Sequence, residues 1–392
     1  MKELEYPFDA AYIIKKRKSL KKALLADGTS RIRKKIAVFG GSTTSDIVKT
    51  LELFLLDAGI EPEFYESEYA QYFQDAMFPD ETLLSFKPDI VFIHTTNRNV
   101  TDWPEMTDTT EQIDEKLHTE INRFTAMWKS IAEKFHCPII QNNFEMPLYR
   151  LLGSRDAWDI HGRTNFLTRL NEAFYAYARE NESFYIHDLN FVSADYGLKE
   201  WSNPLFWNMY KYAMCFEAIP SFAFSVSHII KSIFGKNKKA LALDLDNTLW
   251  GGVVGDDGVD GIEIGQETGV SQSYYEFQTY VKQLKSLGIV LTVCSKNDHE
   301  NAIAGLNHPE GALRPDDFVI IKANWENKDR NIAETAAELN ILPDSIVFAD
   351  DNPAEREIVR TQIKGAAVPD MDGVVNYITT VDRSGFFEVS FF

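Results

Sequence analysis

Polar side chains suited to catalysis follow three apolar runs in the second half of this 392-residue sequence. The run ALALDLDNT carries Asp244 and Asp246, and the run GIVLTVCS ends at Ser295. A third run, SIVFADD, ends in Asp350 and Asp351. Because parallel strands deliver their carboxyl ends to one edge of a sheet, we expect these carboxylates and the serine hydroxyl to meet there.

Such a meeting of like charges points to a bound cation and an anionic substrate. Crowded carboxylates repel one another unless a cation and a phosphate-like group share the site. Lys328, which opens a predicted helix, adds an ammonium group. Hard carboxylate oxygens beside one lysine favour Mg²⁺, which keeps several waters and bridges to phosphate.

The alternation of Asp244 and Asp246 places both carboxylates on the same side of the chain as it leaves the strand. One carboxylate can then attack phosphorus while the other protonates the leaving oxygen. Lys328 and the Ser295 hydroxyl are expected to hold the transferring oxygens. The pattern therefore predicts phosphoryl transfer to a carboxylate nucleophile.

The elements that position these residues alternate between strands and helices. In the second half, strands at 240–248, 288–295 and 345–351 are separated by helices at 272–287 and 328–340. In the first half, the predicted strands are KIAVFG, DIVFIHTT, CPIIQNN and SFYIHDLNF. This alternation predicts an α/β protein with two Rossmann-like three-layer α/β/α domains and mainly parallel sheets.

The polar, lysine-rich stretch FGKNKK marks the predicted domain boundary, because a new strand begins directly after it. We therefore expect domains at 35–235 and 236–392. Residues 1–34 are predicted to form a basic helical arm, with an amphipathic helix at 13–25. That helix is expected to pack through its apolar side, and docking of an acidic partner is the alternative. The final run FFEVSFF is interpreted as an edge strand or a self-association surface.

The segments DLDNTLW, VCSKND, WENKD and FADDNPAERE occur in this order and resemble the four motifs of the haloacid-dehalogenase (HAD) superfamily. The resemblance implies that Asp244 is a nucleophile that forms an aspartyl-phosphate, and that Asp246 is the general acid and base. It places Thr248, Ser295 and Asn297 at the substrate. Thr248 would also orient Asp246.

The same resemblance implies a Mg²⁺ site. Asp244, the backbone carbonyl of Asp246 and the carboxylate of Asp351 would hold the metal. Lys328 would contact the substrate and bridge the nucleophile to the phosphate. Asp350 would lie behind this set, and an exchange of roles between Asp350 and Asp351 is the alternative.

The stretch DLDNTLWGGVVGDDGVDGIEIG, together with CSKND, NHPE, WENK and DDNPAERE, resembles the FkbH-like proteins of HAD subfamily IIIC. The best-known members take glyceryl from 1,3-bisphosphoglycerate, release phosphate and load an acyl carrier protein. The resemblance implies a phosphatase or phosphotransferase for a phosphorylated small molecule, with a carrier protein as partner and Cys294 as a candidate acyl acceptor. The alternatives are packing of Cys294 in a buried strand, a phosphatase for a free metabolite such as a sugar phosphate, and a non-catalytic carrier-protein scaffold.

The motif spacing predicts a HAD domain without a cap. The intervals from Thr248 to Ser295 and from Ser295 to Lys328 already contain predicted elements, and neither has room for an inserted domain of about 50 residues or more. We therefore expect an open site, which suits a substrate tethered to a macromolecule or closure by the other domain.

The segments FGGSTTSD and HTTNRN of the first domain resemble the SGNH-hydrolase fold, with Ser42 at the nucleophile position and Asn97 at an oxyanion-donor position. An active esterase of this fold needs a late Asp-x-x-His to activate the serine. Here His187 precedes Asp188, and no histidine follows at the required place. We expect a degenerate domain that binds the substrate's carrier or shapes the cleft, and an active esterase is the alternative.

Composition and charge exclude several function classes. The net charge of −19 repels phosphate backbones and anionic lipid, which argues against nucleic-acid or membrane partners and against a nucleic-acid 3′-phosphatase. The start MKELEYPFDA is not typical of a signal peptide, and no apolar run reaches the roughly 18 residues of a spanning helix. Three cysteines are too few for a disulfide framework. These features predict a cytoplasmic protein.

Overall fold

The computed structural model describes residues 1–390 and divides the chain into two compact units. The first is built on Phe8–Phe234 and the second on Gly235–Val389. Each unit has its own parallel sheet and its own apolar clusters.

The strands of the first unit are β1 (Ile32–Gly40), β2 (Ile60–Glu66), β3 (Ile90–His94), β4 (Ile139–Asn142) and β5 (Phe184–His187). Within the described residues they form one parallel sheet in the order β2-β1-β3-β4-β5. Ile36 of β1 pairs with Phe64 of β2 on one side and with Ile90 of β3 on the other. The strand order reverses between β1 and β3, where open α/β sheets usually bind ligands.

Helices cover both faces of this sheet. They are α1 (Ala10–Ala26), α2 (Ser45–Asp57), α3 (Tyr72–Met77), α4 (Glu81–Phe86), α5 (Thr110–Phe135), α6 (Arg163–Glu180), α7 (Leu189–Tyr196), α8 (Leu198–Trp201), α9 (Pro204–Tyr210) and α10 (Ile219–Ile233). Ile36 and Val38 pack in one apolar cluster with α1, α2 and α10. Ala37 and Phe39 pack in another with α3, α5 and α6. Successive side chains of a strand point to opposite faces, so burial on both faces produces the continuous apolar runs of the sequence.

The second unit repeats this layered plan. Its strands are β6 (Ala240–Leu243), β7 (Val290–Ser295), β8 (Ile320–Ala323) and β9 (Ile346–Ala349), which pair in parallel in the order β8-β7-β6-β9 within the described chain. Its helices are α11 (Val254–Asp257), α12 (Gly269–Ser286), α13 (His299–Leu306), α14 (Lys328–Glu338), α15 (Pro353–Gln362) and α16 (Tyr377–Arg383). Leu241 and Leu243 pack with α12, α13 and α16, whereas Ala240 and Ala242 pack with α14 and α15.

The predicted fold class, two Rossmann-like α/β/α domains with parallel sheets, is confirmed. Two strands that were not predicted from the sequence, β2 and β8, both lie at sheet edges. In β2 only Ile60 is buried and Pro62 interrupts the pattern, and in β8 only Ala323 is buried. Edge strands bury little side-chain surface, so they lack the apolar run that identifies central strands.

Three remaining expectations concern the basic arm, the cap and the chain's last residues. In the arm, α1 buries Ile13, Leu20 and Leu24 against α2 and α10. The intervals 248–295 and 295–328, which are fully described, hold only α11, α12, α13, β7, β8, short 3₁₀ helices and turns, and no inserted domain. Of the run FFEVSFF, residues 386–390 form no strand, and the last two residues lie outside the described part of the chain.

Among the described helices, none combines the length and apolar character needed to span a membrane.

Candidate active site

Four segments at the carboxyl edge of the second sheet bring the predicted catalytic residues together. Asp244 follows β6, and its backbone N–H donates to the Ala349 carbonyl of β9 at 3.0 Å. Ser295 is the last residue of β7, and Asp350 directly follows β9. Lys328 is the first residue of α14. Parallel strands thus deliver these groups to one rim.

The Lys328 ammonium lies between two of the carboxylates. Its Nζ is 3.0 Å from Asp244 Oδ2 and 2.5 Å from Asp350 Oδ2, and all three residues are buried. Burial works against the charged ammonium, but the two carboxylates outweigh it and raise the pKa of Lys328. Lys328 therefore carries a positive charge at the base of the site and offsets part of its negative charge.

Asp244, Asp350 and Asp351 form a cluster that fits a divalent cation. One carboxylate oxygen from each lies within 4.8 Å of the corresponding oxygens of the other two. Burial and the charge of Asp244 raise the pKa of Asp351, and they raise that of Asp350 to about 7. A cation would relieve this repulsion, and a set of oxygen donors suits Mg²⁺ better than softer metals.

The two neighbouring aspartates differ in their partners. One oxygen of Asp350 accepts from Lys328, and the other accepts from the Asn352 backbone N–H at 2.8 Å. Asp351 is partly exposed, and its carboxylate contacts the Thr248 hydroxyl at 3.5 Å. Asp351 therefore retains more acceptor capacity for a cation than Asp350 does.

Thr248 takes a different partner from the one expected. Its hydroxyl oxygen also accepts from the Asp351 backbone N–H at 3.2 Å. No hydrogen bond joins Thr248 to Asp246 within residues 1–390, because the hydroxyl faces the loop after β9 instead. The expectation that Thr248 orients Asp246 is therefore corrected: Thr248 links the two loops that carry aspartates.

Asp246 is held by three neutral donors. The Trp250 indole N–H and the Val254 backbone N–H donate to Oδ1 at 2.9 and 3.0 Å, and the Asn297 side-chain amide donates to Oδ2 at 2.9 Å. Burial raises the pKa of Asp246, with a further contribution from Asp244, and outweighs these donors. Asn297, predicted to bind substrate, thus acts on the carboxylate predicted to be the general acid.

Sequence reasoning missed Trp250. The buried indole packs so closely on Gly305 of α13 that a Cβ atom at Gly305 would lie 2.7 Å from the ring. A buried indole needs a partner for its N–H, and Asp246 is that partner. The available signal was the tryptophan that ends the segment DLDNTLW.

Sequence reasoning also missed Arg356. This buried guanidinium donates to the backbone carbonyls of Asp350 and Asp351 at 3.0 and 2.8 Å, and to the Asp372 carboxylate at 2.9 Å. Arg356 thereby fixes the loop that carries two of the clustered carboxylates. The available signal was an arginine inside the acidic segment FADDNPAERE.

The side chain of Cys294 is buried, although its neighbour Ser295 ends β7 at the rim. The Cys294 thiol packs among Ala242, Ile332 and Phe348, and lies 3.6 Å from the backbone carbonyl oxygen of Lys328. Burial raises the pKa of this thiol, which disfavours a reactive thiolate. The expectation that Cys294 accepts an acyl group is corrected, because β7 continues through Ser295 and adjacent strand residues face opposite sides.

The predicted site of the first unit lies where β1 and β3 end. The Ser42 hydroxyl is buried and has no hydrogen-bond partner in the described chain. The Asn97 side-chain amide donates to the Glu145 backbone carbonyl at 3.3 Å. His187 hydrogen-bonds to Asn142 of β4 and Ser225 of α10, and Asp188 accepts from the Asn143 side-chain amide. The structure therefore brings no base into hydrogen-bond contact with Ser42.

Comparisons with known proteins agree with this geometry. The family model for the FkbH N-terminal domain matches residues 35–231. The crystal structure of the N-terminal part of a Bacteroides fragilis protein, which contains a phosphatase domain and is complexed with Mg, is similar to this chain. The two share 30% identity with a TM-score of 0.86, and the match covers 96% of this chain and 99% of that one.

Other similarities are weaker. An acylhydrolase candidate from Bacteroides fragilis matches 55% of this chain and 97% of its own, with 17% identity and a TM-score of 0.32. No curated protein matches the chain significantly. The family-model match spans half of the chain, and the 30% identical structure covers nearly all of it. The chain belongs to the FkbH family.

Proposed function

We propose that this chain is a Mg²⁺-dependent phosphatase or phosphotransferase of the HAD type, which acts through an aspartyl-phosphate on Asp244. The observation that carries the proposal is the buried cluster in which Lys328 lies 3.0 Å from Asp244, beside Asp350 and Asp351. The similar structure with a phosphatase domain and Mg supports it. A non-catalytic scaffold has no use for three crowded carboxylates, because their repulsion destabilises the fold when no ligand is bound.

Asp244 supplies the nucleophile. Its carboxylate oxygen attacks phosphorus, and the new P–O bond forms as the bond to the leaving oxygen breaks. Lys328 holds Asp244 and would face the negative charge that develops on the transferring oxygens, and the Ser295 hydroxyl would donate to the same oxygens. Asp244 and Asp351, with the Asp246 backbone carbonyl, would hold Mg²⁺. When bound, Mg²⁺ neutralises charge between the carboxylate and the phosphate.

Asp246 supplies the proton transfers. It first protonates the leaving oxygen, and it then takes a proton from the water that attacks the aspartyl-phosphate and releases phosphate. Its raised pKa favours the protonated form needed in the first step. Its three donors keep the carboxyl group in one orientation through both steps.

Within this activity, the specific reaction that we propose is glyceryl transfer from 1,3-bisphosphoglycerate to an acyl carrier protein. Membership of the FkbH family and the lack of an inserted cap in the described intervals support it. Because Cys294 is buried, the accepting thiol belongs to the carrier. The carrier thiolate attacks the C1 carbonyl carbon, and a C–S bond forms as the C–O bond to the 1-phosphate breaks. Asp244 takes the 3-phosphoryl group as its P–O bond to the glyceryl oxygen breaks, so the thioester left on the carrier is glyceryl.

For the first unit we propose an SGNH-like domain without esterase activity that binds the substrate's carrier. The absence of a base on the Ser42 hydroxyl in the described chain supports the lack of esterase activity. A cytoplasmic location is proposed because Cys137, Cys215 and Cys294 are all free thiols, as expected in a reducing compartment.

The test is phosphate release from a panel of phosphorylated metabolites that includes 1,3-bisphosphoglycerate and sugar phosphates. Each is assayed with Mg²⁺ or a chelator, and with or without an acyl carrier protein. Mg²⁺-dependent release, with glyceryl appearing on the carrier thiol, is the expected result. Release from a sugar phosphate with no acylated carrier supports a free-metabolite phosphatase, and no release from any compound contradicts the proposal.

A further inference from the structure

The turn that follows Asp244 and Asp246 and leads to Thr248 contains one residue, Asn247, in the left-handed backbone conformation. Asn247 has a φ of +57°, a region that asparagine tolerates better than most residues with a side chain. Its side-chain oxygen and its backbone carbonyl oxygen both accept hydrogen bonds. Its Oδ1 accepts from the Gly252 backbone N–H at 2.9 Å, and its carbonyl oxygen accepts from two tyrosine hydroxyls.

These two tyrosines come from separate helices of the second unit. The Tyr377 hydroxyl of α16 donates to the Asn247 carbonyl at 2.9 Å, and the Tyr274 hydroxyl of α12 donates to it at 3.3 Å. Both residues are buried, and their rings meet edge to face at 6.4 Å. Burial raises the pKa of Tyr274 to about 12 and also raises that of Tyr377, so both remain donors.

The backbone conformation of Asn247 affects the direction of the Asp246 backbone carbonyl. The Asp246 carbonyl belongs to the planar peptide that joins Asp246 to Asn247, so its direction depends on the φ angle of Asn247. That carbonyl is one of the groups proposed to hold the cation. Neither tyrosine is needed for the proposed chemistry itself.

We propose that Tyr274 and Tyr377 are positioning residues for the cation site and act through Asn247. By holding Asn247 in the left-handed conformation, the two hydroxyls aim the Asp246 backbone carbonyl at the carboxylate cluster. This inference rests on the proposed function, because it requires a cation at that cluster. Loss of either hydroxyl is expected to weaken cation binding while the buried ring keeps its packing.

The chain offers a matched control in Tyr280. This residue also lies on α12, and its hydroxyl lies 3.4 Å from the carboxylate of Asp382 on α16. Tyr280 thus joins the same two helices as Tyr274 and Tyr377, but it does not touch the aspartate turn. A general loosening of α12 and α16 would affect all three tyrosine variants alike.

The experiment is calorimetric titration of Mg²⁺ into the full chain without substrate, for wild type and three variants. Tyr377→Phe is expected to weaken Mg²⁺ binding roughly tenfold, in the range of partners that orient metal ligands. Tyr274→Phe, which loses the longer hydrogen bond, is expected to weaken it roughly threefold, and Tyr280→Phe by less than about twofold. Thermal melts without Mg²⁺ measure the structural effect of each change.

The outcomes separate this inference from the proposed function. Wild-type Mg²⁺ affinity in Tyr377→Phe, or an equal loss in Tyr280→Phe, overturns the inference even if wild type hydrolyses p-nitrophenyl phosphate with Mg²⁺. A wild-type chain that binds no Mg²⁺ overturns the inference together with the proposed function. If Tyr377→Phe does not fold, the comparison of Tyr274→Phe with Tyr280→Phe decides.

Discussion

Asp244 and Asp246 carry the same side chain in different surroundings, which supports the different roles proposed for them. Asp244 pairs with the Lys328 ammonium at 3.0 Å. Asp246 accepts from three neutral groups, and burial raises its pKa, which favours a proton donor. We propose that these different partners make Asp244 the nucleophile and Asp246 the acid of one reaction.

This division predicts different consequences for two substitutions. Asp244→Asn should abolish phosphate release, because an amide is not a nucleophile toward phosphorus. Asp246→Asn should slow it by about 10²–10⁴-fold, the contribution of a general acid or base. Release of phosphate from p-nitrophenyl phosphate measures both effects, with thermal melts as the control for folding. Wild-type turnover by folded Asp244→Asn protein would refute the site assignment.

The proposed role of Asp351 as a Mg²⁺ ligand predicts that a variant without this carboxylate needs more Mg²⁺ for activity. Asp351→Ala removes a carboxylate proposed to hold Mg²⁺, so the Mg²⁺ concentration for half-maximal activity should rise about 10–100-fold, as for altered metal-site partners. The activity of Asp351→Ala should be closer to that of wild type at saturating Mg²⁺ than at low Mg²⁺. Excess chelator should abolish activity in wild type, and full activity under chelation would contradict the metal assignment.

The burial of Cys294 predicts that this thiol is dispensable for chemistry. Cys294→Ala should leave phosphate release within about twofold of wild type and lower stability by about 1 kcal/mol, as for a typical core truncation. Intact-protein mass spectrometry after incubation with 1,3-bisphosphoglycerate provides the second readout. A glyceryl adduct on wild type that is lost in Cys294→Ala would contradict the structural argument.

At the level of secondary structure, helix α13 supports Asp246, the proposed general acid, through its contact with Trp250. Gly305 of this helix leaves space for the indole, and an added Cβ would lie 2.7 Å from the ring. Gly305→Ala should therefore destabilise the fold by about 1–3 kcal/mol, the usual effect of overpacking. It should also slow turnover, because the displaced indole no longer holds Asp246.

Gly269 provides the control for this substitution. It begins α12, and a Cβ atom there would have no neighbour within 4 Å. Gly269→Ala should be neutral or stabilising by about 0.4–1 kcal/mol, since alanine restricts the unfolded chain. Thermal melts and turnover of both variants make the comparison. Equal behaviour of Gly305→Ala and Gly269→Ala would show that the Trp250 contact does not support Asp246.

The elements also show what the sequence could and could not predict. The central strands were predictable because burial on both faces produces continuous apolar runs, and Asp244, Ser295 and Asp350 follow from where those runs end. The roles of Trp250 and Arg356 were not predictable, because they depend on contacts made only after the loops fold. The partner of Thr248 depends in the same way on the distant loop after β9.

At the scale of the whole molecule, two units of similar plan differ at the carboxyl edges of their sheets. In the first, Asn97, His187 and Asp188 hydrogen-bond to their own neighbours at the sheet edge. In the second, three carboxylates and a lysine are concentrated within a few ångströms. Since a shared fold does not determine function, this difference in side chains is what places the proposed chemistry in the second unit.

The most direct test of the account is to locate the phosphoryl group on the protein. Asp246→Asn should be incubated with p-nitrophenyl phosphate and Mg²⁺, because p-nitrophenolate leaves without protonation while hydrolysis of the aspartyl-phosphate still needs a base. The intermediate should therefore accumulate, and mass spectrometry of acid-quenched peptides should find one phosphoryl group on Asp244. Release of p-nitrophenolate with no phosphoryl group on Asp244, or with the group on another residue, would contradict the account.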